Sequence, residues 1–175
     1  MNGRWPALTI RQPWAWAIEH GKHVENRSWE VTFRGPLWLH AGARSRWDPD
    51  GAEFRPLRNA WGRWLASEVP GWAGLPSSDV LLGRRTTLMP FGAVAALAEV
   101  TGCHHARDCE ARTVTISSTA VPTCSPWAVR GQYHWLLANV RPLASPVPCR
   151  GALGLWRLPE DIEQQARTQL ETARA

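Results

Sequence analysis

Lysine is almost missing from this chain: 19 of its 20 basic residues are arginine, and Lys22 is the one lysine. An arginine-rich coding bias accounts for the shortage, but not for where the one lysine stands. Tyrosine and phenylalanine are scarce as well, with 1 and 3 copies against 12 tryptophans. Aromatic work therefore falls to Trp, whose broad π-face and single N–H suit base stacking as well as core filling. No apolar run approaches the roughly 20 residues of a membrane-spanning helix, which excludes a helical membrane protein. The opening MNGRWPALTI carries no apolar core followed by a small-residue cleavage site, so a cytoplasmic location is expected. Repeats, low-complexity tracts, charge blocks and interdomain linkers are all absent, which points to a single domain over residues 1–175.

Cysteine is sparse too: Cys103, Cys109, Cys124 and Cys149, with no Cys-x-x-Cys knuckle. The run Cys103-His104-His105 followed by Cys109 has a superficial likeness to zinc ligation. Adjacent histidines in a strand point to opposite faces, however, so reduced thiols are expected, with no metal and no cofactor. What is present is ordinary for a globular chain, 44% hydrophobic and 20% charged, and wholesale disorder is excluded. The net charge of +5 is a modest bias towards polyanions.

Hydrophobic periodicity predicts a strand over 7–10 and a helix over 14–20, with Pro13 at its first turn and Gly21 as a left-handed cap. Extended segments follow over 24–33 and 37–41 around a hairpin turn at Arg34-Gly35. In the second, Leu37, Leu39 and Ala41 share one face while Trp38 and His40 share the other. Residues 48–69 read as a helix whose core face carries Leu57, Trp61, Trp64 and Leu65, with Arg55, Asn59, Gly62 and Arg63 in solvent. Residues 71–90 read as a surface excursion, so that 48–90 forms a helical and loop insertion. Strands are expected over 91–101, 112–117, 133–140 and 153–158, then a C-terminal helix over about 159–174. The fold class is mainly β (α+β), a small barrel with helical insertions.

The chemically dense stretch is RQPWAWAIEHGKHVENRSW, residues 11–29. In an extended chain Glu25 and Arg27 share a face, and Lys22 at the helix cap can fold over it. Such a cluster needs either mutual satisfaction or a ligand. A plain salt-bridge network is one reading. The other is a binding site, supported by Arg11, Gln12, Asn26 and Ser28 and by the neighbouring rings of Trp14, Trp16 and Trp29.

The spacing K-x-x-E-x-R at Lys22, Glu25 and Arg27 resembles the signature of the ASCH domain, a small barrel related to PUA domains. The blocks ALTIRQPWAWAI, RGPLWLHAG, SPWAV, YHWLLANVRPL and RGALGLW extend the resemblance from Ala7 to Leu158, towards the bacterial and prophage branch. The family glycine usually stands two places before the lysine; here His20 holds that place and Gly21 follows. The resemblance implies a cleft for single-stranded RNA or DNA, or a modified nucleotide. Lys22 and Arg27 would hold phosphate or a base carbonyl. Trp14, Trp29 or Trp127 would stack on a base, and Gln12 and Asn26 would read its edge. His40 is a further cleft candidate.

Some relatives imply catalysis, as amidohydrolases of acetylcytidine or as ribonucleases. By that resemblance Lys22, Glu25 and Glu99 are the catalytic candidates, with Lys22 and Glu99 the working pair. The relatives' threonine is replaced by Glu25. A carboxylate beside Lys22 favours the charged ammonium, which favours a binding cation over a nucleophile. A third class, a protein-interaction module using the insertion, predicts nucleic-acid binding that is absent or indifferent to salt.

Overall fold

The computed structural model describes residues 3–45, 55–68, 89–110, 114–116, 119–121 and 124–173. Six strands form one sheet in the order β2-β7-β4-β3-β1-β8. They are β1 (Pro6–Gln12), β2 (Val24–Arg27), β3 (Gly35–Ser45), β4 (Ala93–His105), β7 (Tyr133–Pro148) and β8 (Leu155–Arg157). Among the described residues, strands β5 (Val114–Ile116) and β6 (Thr119–Val121) pair only with each other. The helices among the described residues are α1 (Trp14–Glu19), α2 (Arg55–Glu68), α3 (Ala106–Glu110) and α4 (Glu160–Thr172). All pairing is antiparallel except β1 with β3.

The long central strands bend. Register shifts interrupt the ladders β4–β7, β3–β4 and β1–β3, and such bulges raise local twist. The curl is deep enough for Arg27, at the end of β2, to donate from Nη2 to the Thr9 carbonyl of β1 at 3.0 Å, across a sheet in which three strands separate them. The sheet is thus a half-barrel.

Alternation along β3 sorts its side chains as expected. Leu37, Leu39 and Ala41 join Leu8, Ile10 and Trp135 in the inner core. Trp38 lies on the outer face with Leu158, Ala166 and Leu170, where α4 packs. A third cluster joins α1 to α2 through Trp16, Leu57 and Trp61, with Trp127.

Several elements differ from those the sequence predicts. Residues 24–33 are not one strand, because β2 stops at Arg27. Arg34-Gly35 is not a hairpin turn: β2 pairs with β7, while Gly35, at φ +116°, opens β3 beside β1 and β4. The strand expected over 112–117 is one arm of the detached β5–β6 pair. Strands β4 and β7 run well past their expected ends, and α3 was not anticipated. Of the insertion over 48–90, α2 is seen with Leu57 and Trp61 buried and Asn59, Gly62 and Arg63 exposed. Residues 46–54 and 69–88 lie outside the described residues.

Candidate functional site

Helix α1 ends where the chemistry begins. Gly21 takes φ +102°, a value that side-chain-bearing residues rarely adopt, and turns the chain inward. Lys22 then donates its backbone N–H to the Ala17 carbonyl at 2.8 Å, and its side chain enters the protein. Lys22 is only 2% exposed. Its Nζ lies 2.6 Å from Glu25 Oε2, while Arg27 Nη2 lies 3.0 Å from Glu25 Oε1. One carboxylate therefore holds both cations. Glu25 is the register partner of Trp135, so this triad projects from the inner face of the half-barrel.

The hydrogen-bonding capacity of the cluster is not spent. An ammonium has three donors, and among the described residues Lys22 Nζ has one acceptor, Glu25. Arg27 Nε is buried with no partner, and Nη1 makes no hydrogen bond to a described residue. The Arg27 side chain keeps 23% of its surface exposed.

Burial holds Lys22 below the ordinary lysine range, despite Glu25 pulling it upward through charge and hydrogen bonding; Arg27 lowers it further. Burial thus opposes the carboxylate's preference for the charged ammonium, an influence that a sequence does not display. Burial also removes the Lys22 ammonium from direct reach of a phosphate. Its place is beneath the site, holding Glu25.

Several expected ligand contacts are committed internally. Gln12 accepts from the Trp16 N–H at 3.0 Å and donates to the Pro90 carbonyl at 2.8 Å, so it caps α1 and ties it to the chain before β4. Asn26 donates to the Trp127 carbonyl at 2.8 Å and accepts from the Val129 N–H at 2.9 Å, fastening the 124–130 loop. Trp127 is buried, and Trp14 is half-buried beside both inner clusters.

His40 lies on the outer face, not in the cleft. Its Nε2 donates to the Cys149 carbonyl at 3.0 Å, leaving Nδ1 buried without a partner. The ring packs edge-on to Trp156. Burial pushes its pKa down against the upward effect of the Cys149 hydrogen bond.

Glu99 accepts from Asn139 Nδ2 at 2.8 Å, and the charges acting on Lys22 are Glu25 and Arg27. The expected Lys22–Glu99 working pair is therefore not assembled. Its strand position misled because the bulges of β4 shift which residues face inward.

Arg11, Ser28 and Trp29 are exposed; Ser28 and Trp29 follow Arg27 directly in the chain, and Arg11 lies on β1 two residues beyond Thr9, whose carbonyl Arg27 reaches. Trp29 is 36% exposed, with its ring edge-on to Trp135 at 4.5 Å between centroids. Its carbonyl accepts from Trp135 Nε1 at 3.2 Å, which fixes the backbone beneath the ring. Thr9, absent from the expected set, supplies the carbonyl that anchors Arg27; a backbone acceptor leaves no mark in a sequence.

The family model described as the ASCH domain matches residues 8–147. No curated protein matches the chain.

Proposed function

The chain belongs to the ASCH domain family, of PUA-like fold, and on that premise we propose that it binds single-stranded RNA or DNA, or a modified nucleotide, around Arg27. The observation that carries this reading is the unspent donor capacity of a cluster otherwise tightly held. Buried polar atoms are nearly always satisfied, so the donors left over on the anchored, partly exposed Arg27 guanidinium call for an acceptor from outside. A base carbonyl or a phosphate oxygen supplies one.

In this reading Glu25 and the Thr9 carbonyl hold Arg27 in place, and Lys22 neutralises Glu25 from below. Arg11 and Ser28 add contacts to the ligand backbone. Trp29 offers a stacking face, worth about 1–3 kcal/mol per base. Gln12, Asn26 and Trp127 build the wall. No described helix is long and apolar enough to cross a membrane, and a cytoplasmic setting is part of the proposal.

The test is binding of a labelled single-stranded RNA, measured by fluorescence anisotropy over a range of salt. Affinity should fall steeply with salt, as it does whenever cations displace counterions from phosphates. Trp29→Ala should weaken it. Absence of binding, or binding indifferent to salt, would leave the protein-interaction reading in its place.

A second reading, hydrolysis of a modified nucleoside, is favoured by one observation: burial lowers the Lys22 pKa, as a lysine base requires. Its carboxylate partner would be Glu25. Incubation with acetylcytidine decides it, since cytidine release abolished by Lys22→Ala supports the hydrolase and no release by the wild type removes it.

A further inference from the structure

Four metal-ligating side chains converge at the C-terminal end of β4, on the sheet face of His134 and its register partner Asn26, opposite the face of Glu25 and Trp135. His104 stands on β4 and His134 on β7, and the two are register partners, so their rings project to the same side. Cys109 comes from α3, one short turn beyond β4, and Cys124 from the chain after β6. Their ligand atoms, two imidazole nitrogens and two sulfurs, all lie within 4.8 Å of one another.

The distances suit a tetrahedral ion better than a set of hydrogen bonds. Zinc bonds of about 2.0–2.1 Å to nitrogen and 2.3 Å to sulfur place tetrahedral ligand atoms roughly 3.3–3.8 Å apart. Cys109 Sγ and Cys124 Sγ each lie 3.3 Å from His134 Nδ1. That nitrogen has one lone pair, because the other ring nitrogen, Nε2, donates to the Val129 carbonyl at 2.8 Å. Two thiols cannot both donate to it, whereas one cation is shared by all three atoms. His104 Nε2 lies 2.6 Å from Cys109 Sγ, inside the tetrahedral spacing, so this pair must separate to take the ion. The Val129 carbonyl does what outer partners of metal-bound histidines do: it fixes the tautomer and aims the ligand nitrogen.

We propose that His104, Cys109, Cys124 and His134 bind one zinc ion in a closed structural site. Two cysteines and two histidines complete a tetrahedron and leave no open position for substrate. Binding releases both thiol protons to solvent, and two thiolates balance the charge of Zn²⁺, so a half-buried to buried site ends neutral. The ion would staple the chain between α3 and β7 onto the sheet. That chain includes Trp127 and Val129, whose backbone groups hold Asn26, so the staple also steadies the wall beside Arg27. His104 and His105 do face opposite ways, so one of the two is a ligand; Cys109, Cys124 and His134 lie 5, 20 and 30 residues further on.

The full-length chain, purified without chelator and given equimolar zinc, should retain about one zinc per chain by elemental analysis, as a four-ligand site requires. Cobalt in place of zinc should give the visible bands of a tetrahedral ion and a thiolate charge-transfer band. Alkylation mapped by mass spectrometry should spare Cys109 and Cys124 when zinc is present, while Cys103 and Cys149 react as before. Cys109→Ser and Cys124→Ser should lose the ion, and Cys103→Ser and Cys149→Ser should keep it. The wild-type cobalt spectrum and alkylation map hold even if a variant fails to fold. Retention of less than a tenth of an equivalent of zinc, an octahedral cobalt spectrum, equal alkylation of all four cysteines, or a Cys109–Cys124 disulfide in the reduced preparation would overturn the proposal.

Discussion

Removing Glu25 should harm the fold more than removing Lys22, even though the two form one ion pair. At 2.6 Å and an effective dielectric of about 20, the Lys22–Glu25 attraction is about 6 kcal/mol gross, and the Arg27–Glu25 attraction at 3.0 Å is slightly less. Desolvation consumes most of that gain, so the net cost depends on what each substitution leaves behind. Lys22→Met leaves Glu25 held by Arg27 and puts an apolar chain of similar length in a buried slot. Glu25→Gln strands an ammonium that is 2% exposed, with no anion and a guanidinium nearby. The stranded charge should cost about 3–5 kcal/mol, and Lys22→Met under about 2 kcal/mol. In a domain of this size the first corresponds to a fall in Tm of roughly 6–20 °C.

The pH dependence adds a second signature. With Glu25 gone, both influences that raise the Lys22 pKa disappear, and burial and Arg27 act unopposed. A lysine whose folded pKa is lowered binds fewer protons folded than unfolded, so stability is recovered as pH rises towards the unfolded value of about 10.4. Denaturant melts of both variants at pH 7 and pH 9.5 measure this. A Lys22→Met cost equal to or above that of Glu25→Gln, or a Glu25→Gln deficit that does not shrink at high pH, would refute the reasoning.

Glu19 has no hydrogen-bond or ion-pair partner among the described residues, and burial raises its pKa to about 7. The folded state therefore binds the extra proton, and the stability it brings is present below about pH 4.5 and lost as pH rises through 7. Glu19→Gln should raise stability by about 1–3 kcal/mol at pH 8 and change little at pH 4.5, read from melts at both pH values. Burial alone would push Glu163 upward, but hydrogen bonds from Arg167, the Trp5 N–H, Arg4 and Trp38 together hold it below the usual carboxylate range. Its contribution is present above the unfolded pKa and lost as pH falls through the lower folded value, so Glu163→Gln should cost about 2–3 kcal/mol at pH 7 and less in acid. Gly151→Ala should cost about 1–3 kcal/mol by thermal melt, because the new Cβ would come 2.5 Å from His40 Cε1 and 2.7 Å from both His40 Nδ1 and Thr9 Oγ1.

The residues that announced themselves in the sequence did so through short-range rules. Period-two alternation gave the faces of β3, a glycine after a helical run gave the left-handed turn at Gly21, and three-residue spacing put Lys22 beside Glu25. The parallel pairing of β1 with β3, the detached β5–β6 pair and the bulges were not legible, since each depends on partners far along the chain. For the same reason Glu99 was misplaced, since the bulges of β4 put Ala95 and Leu97 on different faces. His40 shares the face of Trp38 as expected, but that face is the outer one. Burial of Lys22 was hidden because a charged side chain near a cap ordinarily reads as solvated. The cysteine–histidine cluster was hidden by separation, its two halves being joined only by the β4–β7 register.

The measurement closest to the central claim is a titration of labelled single-stranded RNA with the wild type and with Arg27→Gln, at low and raised salt, each protein first shown to be folded. Tight binding by the wild type at low salt, weakened about tenfold or more by the substitution and with a shallower salt slope, is the predicted result. Equal affinity of the two proteins, or no binding by the wild type at low salt, would contradict it.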